Sequence, residues 1–337
     1  MAHNIARTNG KDQIAYVGKA PWHKLGTFLG DELVKSRTMV KAAGLDYPIV
    51  LRPVHTRHKG RVVEIPGRQA VVRGDTGAVF TVVSDRWEPV QNVDAFRFFD
   101  RVVGKGKAVY ETAGALGQGE RIWILARLPG MSVVAGDEIE QHVLLSNGHD
   151  GMTAFTFQMS PIRVVCQNTL NIALSDVDQS RVYRRFHVAG VNRQLEPKDA
   201  ADIIGLAKTF YSHLEEQGQA LAERKMSVKS LEQFLADLFP LPALPAPKTV
   251  AALPAPRPED YQVPAIITHR RELVRELIER GKGNDRKGVR GTAWAAFNGV
   301  VQFADYIQGK DDTRTKSLLF GTGHALKQRA WDRLTQV

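Results

Sequence analysis

The sequence predicts an α+β fold, with a mostly antiparallel sheet and flanking helices in the first half of the chain and a helical C-terminal region. Three observations predict it. β-Branched runs separated by Gly-rich turns crowd into residues 61–159, apolar stripes at spacings of three and four take over after residue 199, and seven prolines fall between Pro240 and Pro258. These features divide the chain into a sheet domain over 1–195, a helical extension over 196–239, a Pro-rich linker over 240–260 and a helical region over 261–337.

The strands come first. Arg61 to Glu64, Gln69 to Arg73 and Val79 to Val83 are β-branched runs, and Gly74-Asp75-Thr76-Gly77 joins the last two as a hairpin because its glycines accept positive φ. A helix follows from about Val93 to Val103, with Asn92 as its cap and Phe96, Phe99 and Val103 as one stripe. Gly104 to Lys107 stop it. Ala108 to Ala113, Arg121 to Arg127, Glu138 to Leu145 and Thr153 to Met159 then read as strands, the last alternating Phe155, Phe157 and Met159 with smaller or polar residues. After Pro161 an extended start turns into a helix near Asn168 that packs Leu170 and Leu174 inward.

Ile203, Ala207, Phe210, Leu214 and Leu221 mark a helix from about Asp199 to Arg224, suited to packing on the sheet or on another subunit. Ser230-Leu-Glu-Gln is a capping-box pattern opening a short helix that ends before Pro240. The prolines beyond it alternate with Ala and Leu and favour extended polyproline geometry. Three last helices are expected over about Pro264 to Arg280, Thr292 to Gln308 and Thr322 to Leu334.

Composition bounds function. The chain has 337 residues, 43% of them hydrophobic, with 46 Lys and Arg against 36 Asp and Glu, hence a formal charge of +10. That is a basic globular protein. The single cysteine, Cys166, makes no intrachain disulfide and no four-thiolate zinc site, which fits a reducing cytoplasm. No signal-peptide core and no membrane-length apolar run is present, so a cytoplasmic protein without a membrane partner is expected.

No enzyme signature survives inspection. The Gly-Lys pairs lack the rest of a phosphate loop. Gly321-Thr-Gly-His reads as a plain turn, His55 and His58 as solvated loop histidines, and Cys166 as a small buried hydrophobe between Val164, Val165 and Leu170. Asp75, Asp85, Glu88, Asp100, Glu138, Glu140 and Asp150 show no spacing that dictates a two-metal centre. No catalytic residue, metal site or cofactor is expected.

Charge is distributed unevenly. Gln179 to Leu195 holds no acidic residue, and there Arg181, Arg184 and Arg185 flank Tyr183 and Phe186, a pattern suited to phosphate contact plus base stacking. Arg52, Arg57, Lys59, Arg61, Arg68 and Arg73 face only Glu64, for a local charge of +5. Lys105 and Lys107 form a basic loop, and Arg163 stands at a sheet-to-helix junction where a guanidinium can grip a phosphate in bidentate fashion. Arg270, Arg271, Arg275 and Arg280 interleave with Glu272, Glu276 and Glu279 and read as a solvated helix face.

Four stretches carry a family resemblance. They are Pro21-Trp22-His23-Lys24-Leu25-Gly26, Val83-Ser84-Asp85-Arg86-Trp87-Glu88-Pro89-Val90-Gln91-Asn92, Ile162-Arg163-Val164-Val165-Cys166-Gln167-Asn168-Thr169-Leu170 and Gly291-Thr292-Ala293-Trp294-Ala295-Ala296-Phe297-Asn298. In this order they resemble the phage/plasmid-like protein family, domain of unknown function 932. The resemblance implies a mobile-element setting rather than a reaction. Where many relatives carry an Arg-His-Thr-like stretch, this sequence has Arg184-Arg185-Phe186-His187-Val188.

The order helix, antiparallel strands, helix between Val93 and Leu174 is also similar in outline to ring-forming single-strand annealing proteins, a fold-level analogy. Those proteins need no nucleotide and no metal. The expectation is therefore a mobile-element DNA-binding protein acting on single strands in recombination or replication. Arg163, Arg181, Arg184, Arg185, Lys105 and Lys107 would hold the backbone, Tyr183 or Phe186 would offer a stacking surface, and helices would support a homo-oligomer. The alternative is a non-catalytic interaction protein that modulates a host factor through its helical C-terminal region.

Overall fold

A computed structural model describes residues 4–18, 25–32, 34–103, 109–163, 168–169, 182–191, 197–241, 265–309, 317 and 321–336. The fold is α+β, with a helical C-terminal region. Its centre is a meander of three long strands, β8 (Val109–Leu116), β9 (Arg121–Val134) and β10 (Asp137–Gly148), all antiparallel. The β9–β10 turn is only Ala135-Gly136, both at positive φ (49° and 83°), the geometry that keeps a two-residue hairpin aligned with strand twist.

Both edges of the meander are extended. On one side β3 (Ile14–Tyr16) pairs with β8, and β4 (Thr27–Phe28) joins β3 in parallel. On the other, β10 is long enough to take two partners end to end. Residues 143–146 pair with β11 (Phe155–Met159), which pairs with β14 (Val182–Arg185); residues 139–140 pair with β12 (Ile162–Arg163), which pairs with β13 (Asn168–Thr169). A separate small hairpin joins β1 (Arg7–Thr8) to β2 (Lys11–Asp12).

Strand alternation gives the sheet a main buried face. Ala113, Ile124, Leu145 and Phe157 lie opposite one another in register and are fully buried. Above them sits α2 (Asn92–Val103), whose Phe98 and Phe99 contact Phe155, Phe157 and Tyr110 edge-on or tilted. On the opposite face Trp123 and Leu144 form a smaller cluster with Ile5, Ile14 and Leu116.

The C-terminal helices close on the same core. α3 (Pro197–Glu223) crosses the sheet, where the Tyr211 hydroxyl donates to the His142 carbonyl, 2.6 Å, and accepts from the His142 amide, 2.7 Å. Beyond it lie α4 (Val228–Leu238), α5 (Ala265–Arg280), α6 (Ala293–Tyr306) and α7 (Thr322–Thr335). α6 is almost wholly buried, and the Trp294 indole donates to Asp137 at the start of β10, 2.9 Å. One contiguous set of buried side chains runs from Ala6 to Leu334. Buried Lys327 of α7 pairs with buried Asp305 of α6.

Several sequence expectations are refined. Arg61 to Glu64 and Gln69 to Arg73 are one strand, β6 (Arg61–Arg73), which forms a hairpin with β7 (Val79–Ser84) as expected; an additional strand, β5 (Ile49–His58), pairs with its other edge. Residues 168–169 are a strand, not a helix start, because pairing with Ile162–Arg163 holds them extended; Leu170 and Leu174 lie outside the described residues. Ser227, not Ser230, caps α4: its hydroxyl accepts from the Ser230 amide, 3.1 Å. The Asn92 side chain turns away from its own helix to other partners, described below. The segment α1 (Ser36–Ala42) was not anticipated. The proline stretch beyond Leu241 lies outside the described residues.

Candidate nucleic-acid interface

The most exposed basic element is the β5–β6 hairpin. Its inner half joins β7 in a three-stranded sheet, while residues 55–58 and 61–64 pair only with each other, as a two-stranded ribbon. Pro53 sits where the register shifts, the bulge position that tolerates a missing amide. At the tip Lys59 and Gly60 both take positive φ, 46° and 79°.

Both faces of this ribbon stand in solvent. One presents His55, Arg57, Val62 and Glu64, the other Thr56, His58, Arg61 and Val63, and all eight are exposed. A two-stranded hairpin without a buried face is marginal by itself, so its strands are held by the base from which they extend. Among the described residues Arg52, Arg57, Lys59, Arg61 and Arg68 make no salt bridge. Arg73 behaves differently. Its guanidinium is buried over Tyr47, 3.8 Å from the ring centroid, donates to Gln13 and Gln118, and pairs with Asp75 at 2.7 Å, so it belongs to the core.

The residues singled out around β14 are partly brought together. Tyr183 and Arg185 share the core face of this edge strand, opposite Phe157 and Phe155, and Arg184 points to the other face opposite Thr156. Tyr183 packs against Phe98 and Phe157, with the Arg185 guanidinium 4.2 Å from its ring centroid. The open aromatic surface here is Phe186, 65% exposed. Arg163 is in β12, its backbone paired with Ile139. Lys105, Lys107 and Arg181, like Cys166, lie outside the described residues. The exit of β14 meets the ribbon's base: the Ala189 amide donates to the Arg86 carbonyl, and the Asp85 amide to the Gly67 carbonyl. Exposed Arg68, Arg86 and Phe186 therefore flank one junction.

Beneath that junction is a buried polar cluster with no spacing signature in the sequence. The segment after β7 folds over the end of β10. Trp87 stacks on His187 at 5.1 Å between centroids, Asn147 Nδ2 donates to the Val90 carbonyl, and His149 Nε2 lies 2.8 Å from Asn92 Oδ1. Asn92 Nδ2 donates to the Leu45 carbonyl, which fixes the amide, so His149 Nε2 must be the donor. His187 Nδ1 likewise donates to the Glu88 carbonyl, 3.2 Å. Burial pushes His149 down to about 3, and burial also lowers His187, so both rings are neutral near pH 7.

A family model described as a domain of unknown function, DUF932, matches residues 79–331, roughly three quarters of the chain. The chain belongs to the DUF932 family. No curated protein and no solved structure matches it. The DUF932 match takes in β14 and the histidine cluster; β5 and β6 precede it.

Two other features of the DUF932 region bear on ligands. A cleft of about 510 Å³ opens beside the cluster, lined by Val79 and Phe80 of β7, Gln118 and Glu120 of the β8–β9 turn, Arg121, and Asp150. Asp150 is held at about pKa 2, despite partial burial, by hydrogen bonds from Thr153, Arg121 and Met152. On the sheet, Glu111, Glu140 and His142 bring three ligand atoms within 4.8 Å of one another, a grouping that could hold a cation. Arg127 lies 3.3 Å from Glu111 and 3.9 Å from Glu140 and already supplies positive charge there. Glu140 was among the scattered acids of the sequence; Glu111 and His142 join it only through the β8–β9–β10 register and its bulges.

Proposed function

We propose that this chain is a mobile-element DNA-binding protein of the cytoplasm that favours single strands. The observation that carries the reading is the basic ribbon: five exposed cations, Arg52, Arg57, Lys59, Arg61 and Arg68, on strands that bury nothing at their tip. A surface of this kind has no packing role, and neutralising phosphates is the main physical use of such a surplus. Exposed Phe186, on the segment whose Ala189 amide donates to the Arg86 carbonyl, supplies the apolar plane that an unpaired base needs. Arg184 extends the cationic surface along β14.

In this reading the ribbon and the β14 edge grip the sugar-phosphate backbone while bases stay available to pair, which requires neither nucleotide nor metal. The test is fluorescence anisotropy with single- and double-stranded oligonucleotides of equal length at several salt concentrations. Tighter binding to single strands with a steep negative salt slope is expected. Absence of binding at low salt overturns the proposal and favours a protein partner, to be sought by pull-down from nuclease-treated lysate.

A further inference from the structure

The two buried histidines are more specific than a packed core requires. Each ring donates one N–H to an oxygen, Asn92 Oδ1 for His149 and the Glu88 carbonyl for His187, so each keeps a lone pair on its second nitrogen. Those atoms, His149 Nδ1 and His187 Nε2, are buried and have no hydrogen-bond partner among the described residues, and the same holds for Asn147 Oδ1. Three buried acceptors without a donor among the described residues leave an electrostatic deficit that a cation satisfies.

We propose that His149 and His187 are the nitrogen ligands of a divalent transition-metal ion of the zinc class, with Asn147 Oδ1 the next available acceptor. An N–H given to a carbonyl oxygen is the support that metal-bound imidazoles have: it fixes the tautomer and raises ligand basicity. The ring centroids are 6.4 Å apart. Two metal–nitrogen bonds of about 2.0–2.1 Å added to the two ring radii span that separation in line, so a bent, tetrahedral arrangement requires the rings to close by about 1 Å on binding. Trp87 stacks on His187 and Phe80 on His149. Phe80 also lines the 510 Å³ cleft, so the cleft abuts the His149 side of the cluster across this ring. Neutral imidazole suits zinc-class ions better than calcium or magnesium, which prefer oxygen. The site is independent of nucleic-acid binding by the ribbon.

The test is titration of the chelator-stripped full chain with Zn²⁺ by calorimetry and with Co²⁺ by visible absorption, for the wild type, His187→Gln and Glu111→Gln. The proposal expects one equivalent bound, visible Co²⁺ bands, loss of both in H187Q and their retention in E111Q. No uptake, or uptake retained in H187Q, overturns it; loss in E111Q alone assigns the ion to the Glu111, Glu140 and His142 cluster and also overturns it. Should H187Q not fold, X-ray absorption of the Zn²⁺-loaded wild type decides: two imidazole ligands support the site, and none or one refutes it.

Discussion

Because His149 is buried neutral, acid should weaken the fold through it before carboxylates titrate. An unfolded histidine titrates near 6.5 and His149 in the fold near 3. Its folded value is depressed, so below pH 6.5 the unfolded chain binds the extra proton; the stabilisation is complete above that pH and is lost as pH falls toward 3. Between pH 6.5 and 5 the difference is about 1.5 pH units at 1.36 kcal/mol each, about 2 kcal/mol. His187 shifts in the same direction and steepens the loss. Asp150, the charged neighbour of both, is held near 2 and keeps its charge across this window. The assay is urea unfolding in chelator-containing buffer at pH 7.5, 6 and 5 for wild type and His149→Gln, whose amide can still donate to Asn92. Wild type should lose about 2 kcal/mol more than the variant between pH 7.5 and 5. Parallel losses would refute the argument that His149 is buried neutral.

Further predictions concern the core and the ribbon. Lys327→Met removes the buried ammonium that pairs with buried Asp305 and should cost about 3–5 kcal/mol, with Asp305→Leu added to it recovering most of the loss in denaturant melts. Gly299→Ala places a Cβ 2.5 Å from Ile278 Cγ1 and 2.8 Å from its backbone nitrogen, so α5 must shift off α6 and thermal unfolding should show a loss of about 1–3 kcal/mol. Replacing Arg57, Lys59 and Arg61 together by Ala should change unfolding free energy by no more than about 0.5 kcal/mol, since these side chains are exposed. A larger loss would mean that the ribbon tip has a structural role.

The parts of the fold legible in the sequence are those whose burial leaves a period. α2, α3, α6 and α7 bury one stripe or more, and Gly74 to Gly77 announce the β6–β7 turn. β5 is silent for the opposite reason: Arg52-Pro53-Val54-His55-Thr56-Arg57-His58 buries neither face, so nothing alternates. Asn168 shows tertiary pairing overriding local pattern, because β12 holds it extended. The basic ribbon was visible as charge, although Arg73 shows that charge counting cannot separate a phosphate ligand from a buried guanidinium over Tyr47. Tyr183 is similar, an aromatic between arginines whose ring is engaged by Phe98, Phe157 and Arg185. His149 and His187 left no trace, since their oriented partners lie 57 and 99 residues away along the chain.

The most direct measurement is the salt dependence of single-stranded oligonucleotide affinity for wild type and for the Arg57, Lys59 and Arg61 triple alanine variant. If the ribbon tip contacts phosphates, affinity falls and the slope of log K against log salt becomes shallower by roughly 2, at about 0.7 per lost contact on a single strand. An unchanged slope and affinity in the folded variant would contradict the ribbon as the nucleic-acid interface.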